Sequence, residues 1–285
     1  MSENLAAGNP LQRYFRQPKI YISLPSRGHY WGDNLETTET GEYPVYAMTA
    51  KDELSFKTPD ALINGQSTVD VVQSCVPNVK NAWHMPSIDL DAILVAIRIA
   101  TYGEKMDVET TIPVIEEERT YQLDLRQILD QLIAVEFENI IQIDDLVIHL
   151  RPLTYKEFTR SALKTFEEQR IFSALDDQDI SEEEKLAKFN NSFKKLTELN
   201  ISTMSDSISA IEVSDETVRD PRYISEFLQK ADSHFYNAVL DHIEKQKEKF
   251  NIKPIDVPTE PEDQERGAPE TYSVPVVFDQ SNFFG

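Results

Sequence analysis

The chain is predicted to adopt an α+β fold, a mixed N-terminal domain of short strands around a buried helix followed by a helical C-terminal half. Three observations predict it. Short stretches that alternate apolar and polar residues, at Lys19 to Leu24, Tyr43 to Met48 and Leu146 to Leu150, fit half-buried strands. Between them Ile88 to Tyr102 places Ile93, Leu94, Ile97 and Ala100 at helical spacing, with Leu90, Val95 and Ile99 making further sides apolar; such a helix is buried nearly all round. After Pro152 the strand patterning gives way to helical patterning that lasts to about residue 250.

The elements follow in order. Residues 1–17 read as a flexible arm whose Leu11, Tyr14 and Phe15 could dock on a partner. Pro25 to Gly28 turns the chain after the first strand. Thr49 caps a short helix, with Asp52 and Glu53 in the first turn, where the helix dipole favours acids. Thr58-Pro59-Asp60 restarts a helix that Gly65 stops, and a third helix runs from Thr68 to Val76. Ser87 caps the central helix and Gly103 closes it. Lys105 to Ile112 and Thr120 to Leu125 form a hairpin around Glu116-Glu117-Glu118, and Leu125 to Ala134 is a short helix.

Thr154 caps the next helix, and Asp176 to Asp179 form an acidic loop. Ser181-Glu182-Glu183-Glu184 is a capping box that opens a long helix reaching Ile211, with Leu186, Phe189, Phe193, Leu196, Leu199 and Ile201 as its apolar stripe. Pro221 and Asp232 open two more. Lys253 to Tyr272 has the Pro-rich, acidic composition of a loop, Val274 to Phe278 is a returning strand, and Asn282-Phe283-Phe284 an apolar hook. The organisation is therefore an arm (1–17), a mixed domain (18–152), a helical region (153–250) and an acidic loop with a returning strand (251–285).

Composition narrows the function. Fifty acidic against 28 basic residues leave a net charge of −22, a field that repels phosphate backbones and disfavours nonspecific nucleic-acid binding unless basic residues cluster locally. The basic groups Arg13 with Arg16, and Lys245, Lys247 and Lys249 interleaved with Glu244 and Glu248, read as solvated. One cysteine, Cys75, in an apolar helical run, fits a small buried thiol in a reducing compartment. No secretory signal or membrane-length apolar run is visible, so a soluble protein that is intracellular when made is expected.

No catalytic constellation emerges. Ser26, Arg27 and His29 follow a strand, but the G-x-S-x-G context of a nucleophile elbow is missing and no acid partner can be assigned. A hydrolase using Ser26 and His29 is the outlying alternative. His84 beside Trp83 reads as an aromatic pair, and His149, His234 and His242 lack zinc-ligand spacing. The acidic runs lack the alternation of calcium loops, and the isolated glycines form no phosphate-cradling loop. A non-enzymatic binding or structural protein without cofactor or metal is expected.

The segments LPSRGHYW, MTAKDELSFKTPDALING, SCVPNVKNAW, MPSIDLDAILVAIRIATYGEKM, LDLRQIL, RPLTYKEF and DQSNFF carry a resemblance. Together, from about Pro18 to Phe284, the chain resembles the baseplate hub subunit family of T-even-like myoviruses, whose members are labelled hub subunits, hub assembly proteins or tail assembly proteins. Many relatives carry two cysteine pairs resembling a zinc ribbon. Here Ile112-Pro113-Val114-Ile115 replaces the first, and the stretch from Pro258 to Pro269 holds no cysteine. The resemblance therefore implies a ribbon-like hairpin lacking its cysteines, held by Ile112, Val114 and Ile115 packing on Val274, Val276 and Val277, with strands 106–112 and 120–125 beside 272–278. It also implies action by protein–protein binding in tail assembly, on other hub and tail proteins or the tape-measure protein, in the host cytoplasm and the virion baseplate. A transient tape-measure chaperone absent from the virion is the nearer alternative. The expected contact residues are Tyr14, Phe15, Tyr30, Trp31, Trp83, Phe283 and Phe284, since aromatics anchor interfaces.

Overall fold

The structure is a computed structural model that describes residues 15–56, 65–175, 181–214 and 216–276. It is α+β, with small antiparallel sheets and helices gathered around three hydrophobic clusters.

The first cluster forms around α3 (Leu90–Tyr102), which buries Ala92, Ile93, Val95, Ala96, Ile97, Ile99 and Ala100, as its all-round apolar pattern predicts. Ser87 does not cap it. Ser87–Asp89 form a 3-10 turn ahead of the helix, whereas Gly103 closes the other end at φ +94°. Strands β1 (Pro18–Ile22) and β2 (Tyr43–Tyr46) pair antiparallel and present Ile22, Tyr43 and Val45 to α3. Helices α1 (Ala50–Phe56) and α2 (Gln66–Cys75) add Phe56, Val69, Val71, Val72 and Cys75. Thr49 starts α1 as expected: the Asp52 amide donates to its hydroxyl while the Thr49 amide donates back to the Asp52 carboxylate at 2.8 Å, a reciprocal box. The helix expected after Thr58 lies outside the described residues. Helix α4 (Leu125–Ile133), capped by Asp124, closes the cluster with Leu125, Ile128, Leu129 and Leu132.

The second cluster sits under a four-stranded antiparallel sheet in the order β5 (Ile140–Ile143), β6 (Leu146–Leu150), β7 (Ile208–Val213), β8 (Glu216–Val218). Residues 208–218 correct the expectation of an uninterrupted helical layer. The long helix α6 (Glu182–Ser207) ends at Ser207, and the next six residues enter the sheet by pairing with β6. Helix α5 (Tyr155–Leu175) precedes α6 as the other arm of a helical hairpin; α7 (Pro221–Lys230) and α8 (Ser233–Phe250) cover the sheet with Ile224, Leu228, Phe235 and Val239. The Asp176 to Asp179 loop lies outside the described residues.

The third cluster joins distant parts of the chain. Strands β3 (Lys105–Thr111) and β4 (Glu118–Asp124) form the expected hairpin, and β9 (Ile255–Pro258) pairs with β10 (Thr271–Val274) around α9 (Pro261–Glu265). The Pro-rich segment is thus structured, correcting its reading as a loop. Ile112, Val257, Ala268, Tyr272 and Val274 are buried together, with Ile115 packed against them. The Tyr272 hydroxyl donates to that of Tyr121 at 2.7 Å. Arg119 pairs with the buried Asp263 at 2.5 Å, and Arg266 grips Glu117 with both terminal nitrogens. The join expected in place of a thiolate site is therefore made by apolar packing, a tyrosine pair and two arginines. Two details differ from expectation: Val114, at φ +76°, points into solvent, and Val276 belongs to the first cluster; Val277 lies outside the described residues.

Candidate functional site

The segment 24–32 leaves β1 as a tight, strained loop. The Arg27 amide donates to the Leu24 carbonyl at 2.8 Å and the His29 amide to the Ser26 carbonyl at 2.9 Å. Arg27, Gly28, Tyr30 and Gly32 all have positive φ, between +54° and +80°. Arg27 and Tyr30 pay about 1–3 kcal/mol each for that conformation, so the surroundings must impose it. Gly28 is required on a second count: a Cβ there would lie 2.9 Å from the Tyr43 hydroxyl.

Asp89 imposes the shape. It is fully buried in the turn that opens α3, and its carboxylate accepts from the Ser26 amide at 2.7 Å, the Ser26 hydroxyl at 2.5 Å and the Trp31 indole N–H at 2.8 Å. Burial pushes its pKa up to about 6, while these three donors act in the opposite direction. The Tyr43 phenol beside it is raised by burial and then by the Asp89 charge. One carboxylate thus fixes both ends of a six-residue bend, from Ser26 to Trp31.

On its outer side the loop meets the linker between the first two clusters. Arg27 reaches Glu136 at 2.9 Å, and the Tyr30 ring packs edge-on against Phe137 with centroids 5.9 Å apart. Burial raises the Tyr30 phenol, opposed by its hydrogen bond with Asn139. Phe137 leans in turn on Phe250 at the end of α8. A shallow groove beside it is lined by Glu138, His242, Lys245, Gln246 and Lys249, where Lys249 pairs with Glu138 at 2.5 Å.

This geometry answers the nucleophile reading of Ser26. Its hydroxyl is buried, donates to Asp89 and accepts from the Gly28 amide at 3.2 Å, while the His29 ring stands edge-on to Tyr30. Ser26 is a brace for the turn, and no hydrogen bond among the described residues aligns His29 with it. Cys75 is buried too: burial pushes its thiol up to about 12, with Asp52 acting in the same direction and Arg16 in the opposite one. Among the described residues no group of three or more histidine, cysteine or acidic side chains could hold a metal ion, and no helix is long and apolar enough to cross a membrane.

The residues expected to touch partners are distributed unequally. Phe15 is 57% and Tyr30 37% exposed. Trp31 is 1% exposed, its ring serving the Asp89 network from within the core. Trp83 is half-buried and stacks on Tyr155, with centroids 5.7 Å apart. Tyr14, Phe283 and Phe284 lie outside the described residues. No ring contact between described residues links Phe15, Tyr30 and Trp83. Sequence reasoning missed Asp89, which reads as an ordinary acid at a helix start; an acid beginning so apolar a helix was the available signal.

Neither a curated protein nor a solved structure matches the chain. A family model described as T4 bacteriophage base plate protein matches residues 32–264, most of the chain. The chain belongs to the T4 bacteriophage base plate protein family.

Proposed function

We propose that this base plate protein is a non-enzymatic hub subunit or hub assembly factor of the contractile tail, acting by protein–protein binding. The observation that supports this reading is the rigid presentation of Tyr30: an exposed aromatic held at φ +70° by a loop that Asp89 locks from beneath. A side chain fixed before contact loses little entropy when it binds, so it is a suitable anchor. Phe15 is a second anchor, beside Arg16, which is tied to the Ala47 carbonyl at 2.6 Å. Tyr14, Phe283 and Phe284 extend the same set by sequence. The partners are other hub and tail proteins, with the tape-measure protein among the candidates, met in the host cytoplasm during assembly. The net charge of −22 favours partners with basic surfaces and disfavours DNA.

Co-purification of the chain with tail proteins from infected cells tests the reading. The wild type is expected to retain hub proteins and a Phe15→Ala, Tyr30→Ala variant to lose them; equal retention by a folded variant would refute the proposed anchors. Mass spectrometry of purified tails separates the two roles: stoichiometric peptides mark a hub subunit, their absence an assembly factor or a tape-measure chaperone.

A further inference from the structure

The shallow groove beside Phe137 carries the opposite charge balance to the chain as a whole. Its cations are Lys245, Lys249 and Lys253, and its acids are Glu138 and Glu248. Glu138 is already engaged within the protein. Its Oε1 accepts from Lys249 at 2.5 Å and its Oε2 from the Gln246 amide at 3.2 Å. The same Gln246, 4% exposed, accepts from the Glu138 backbone amide at 3.1 Å, and His242 donates to the Glu138 carbonyl at 2.9 Å. Lys249 holds the Glu138 carboxyl below the usual carboxylate range, so the pair stays ionised.

Lys245 and Lys253 are left over. Both are exposed, and neither pairs with an acid among the described residues, in a chain that holds 50 of them. Only Glu248 stands against them in the groove. From Lys245 to Phe250, where α8 ends, is about 7.5 Å along the axis, and Lys253 lies three residues farther along the chain. The spare cations thus follow one another in a row. Side chains on one face of an extended chain recur about every 7 Å, so successive carboxylates on such a chain suit the row better than one small anion does. Aromatic rings adjoin it: Phe137, next to Glu138, packs between Tyr30 and Phe250.

Resting on the anchor role of Tyr30, we propose that this groove receives an acidic, extended segment of a base plate partner. Its carboxylates meet Lys245 and Lys253, and an apolar side chain meets Tyr30 and Phe137. Charge complementarity selects this occupant. A basic segment is drawn to the chain by the net −22 but meets unpaired lysines here. A nucleic acid has the right sign for the groove, yet its long run of phosphates meets the acidic surface beyond it. A short acidic segment avoids that repulsion, because charges more than about 8 Å away are largely screened at physiological salt. Exposed ion pairs contribute modestly; here they choose and orient the segment, and the aromatic rings hold it.

Fluorescence anisotropy on the purified full chain, with a labelled glutamate-rich peptide bearing one tryptophan as probe, tests the groove directly. The peptide is expected to bind the wild type, and to bind about tenfold more weakly once Lys245→Glu, Lys253→Glu reverses the two cations. Lys156→Glu, Lys164→Glu makes the same change of net charge at exposed sites of α5 and is expected to leave binding unaltered. No binding to the wild type overturns the proposal, as does equal weakening by both double variants. A single-stranded oligonucleotide that binds the groove lysines more tightly than the peptide overturns it too. Co-purification from infected cells keeps the groove apart from the anchor. Loss of hub proteins by Lys245→Glu, Lys253→Glu, with unchanged circular dichroism, is the expected result. If that variant keeps them while Phe15→Ala, Tyr30→Ala loses them, the acidic segment is refuted and the anchor stands. If the lysine variant loses them while Phe15→Ala, Tyr30→Ala keeps them, the anchor fails and the charged groove stands.

Discussion

The α3-centred body and the α5–α6 hairpin use the same residue types in opposite ways. In the body Trp31 and Tyr43 are hidden, at 1% and 2% exposure, and even the acid between them is buried and hydrogen-bonded. In the hairpin Phe166 and Phe193 are 59% and 61% exposed. The body spends its aromatics on making one conformation; the hairpin leaves them unspent. Apolar content alone therefore does not separate core from exposed face. What separates them is whether a second element returns to cover the face.

The contrast is sharpest in stability. Ile97→Ala, at a fully buried position of α3, is expected to destabilise the protein by about 2–5 kcal/mol, read as a lower urea midpoint. Asp89→Asn comes next, at about 1–3 kcal/mol, because it turns an amide toward buried donors that a carboxylate accepted. Its pH dependence is diagnostic. The Asp89 pKa is raised in the folded state, to about 6, so the folded protein takes up a proton before the unfolded chain does. The contribution of Asp89 is thus complete below its unfolded pKa and is lost as pH rises through about 6. The margin of the wild type over Asp89→Asn should widen as pH is lowered from 7 to 4. A margin that narrows over that range would show the carboxylate to be ionised and held by its donors.

Gly28→Ala is expected to cost about 1–3 kcal/mol, from strain at φ +80° and the close approach to Tyr43. A melting temperature equal to the wild type would mean that the loop relaxes. The smallest effect falls on the hairpin. Phe193→Ala should change the stability of the protein by no more than about 0.5 kcal/mol, as for an exposed site. A large loss would show the stripe to be core after all and would erase the contrast between the two regions.

Local signals in the chain were readable where local chemistry decides the outcome. Thr49, Thr154, Ser181 and Asp232 cap the helices they precede because each has an amide within three residues to satisfy. The burial of α3 follows from its own side chains. Strand β7 was not legible: Ile201, Met204, Ile208 and Ile211 keep helical spacing, and only pairing with β6, about 60 residues away, turns 208–213 into strand. The role of Asp89 depends on Ser26, 63 residues earlier, and no pattern around either residue announces the other. The exposure of the hairpin stripe was equally hidden. Spacing defines the face of a helix but not whether anything lies across from it.

The bracket between Arg119 and Asp263 has a consequence for the order in which the protein is made. Its halves are 144 residues apart, and Ile112 has no cover until Val257, Tyr272 and Val274 arrive. At about 5–20 residues per second, the ribosome takes roughly 7–30 s to travel that stretch. Through that interval the β3–β4 hairpin stands with its apolar side uncovered, while the α3 body behind it already has most of its own parts. The molecule is closed late, by a clasp whose second half leaves the ribosome 144 residues after its first.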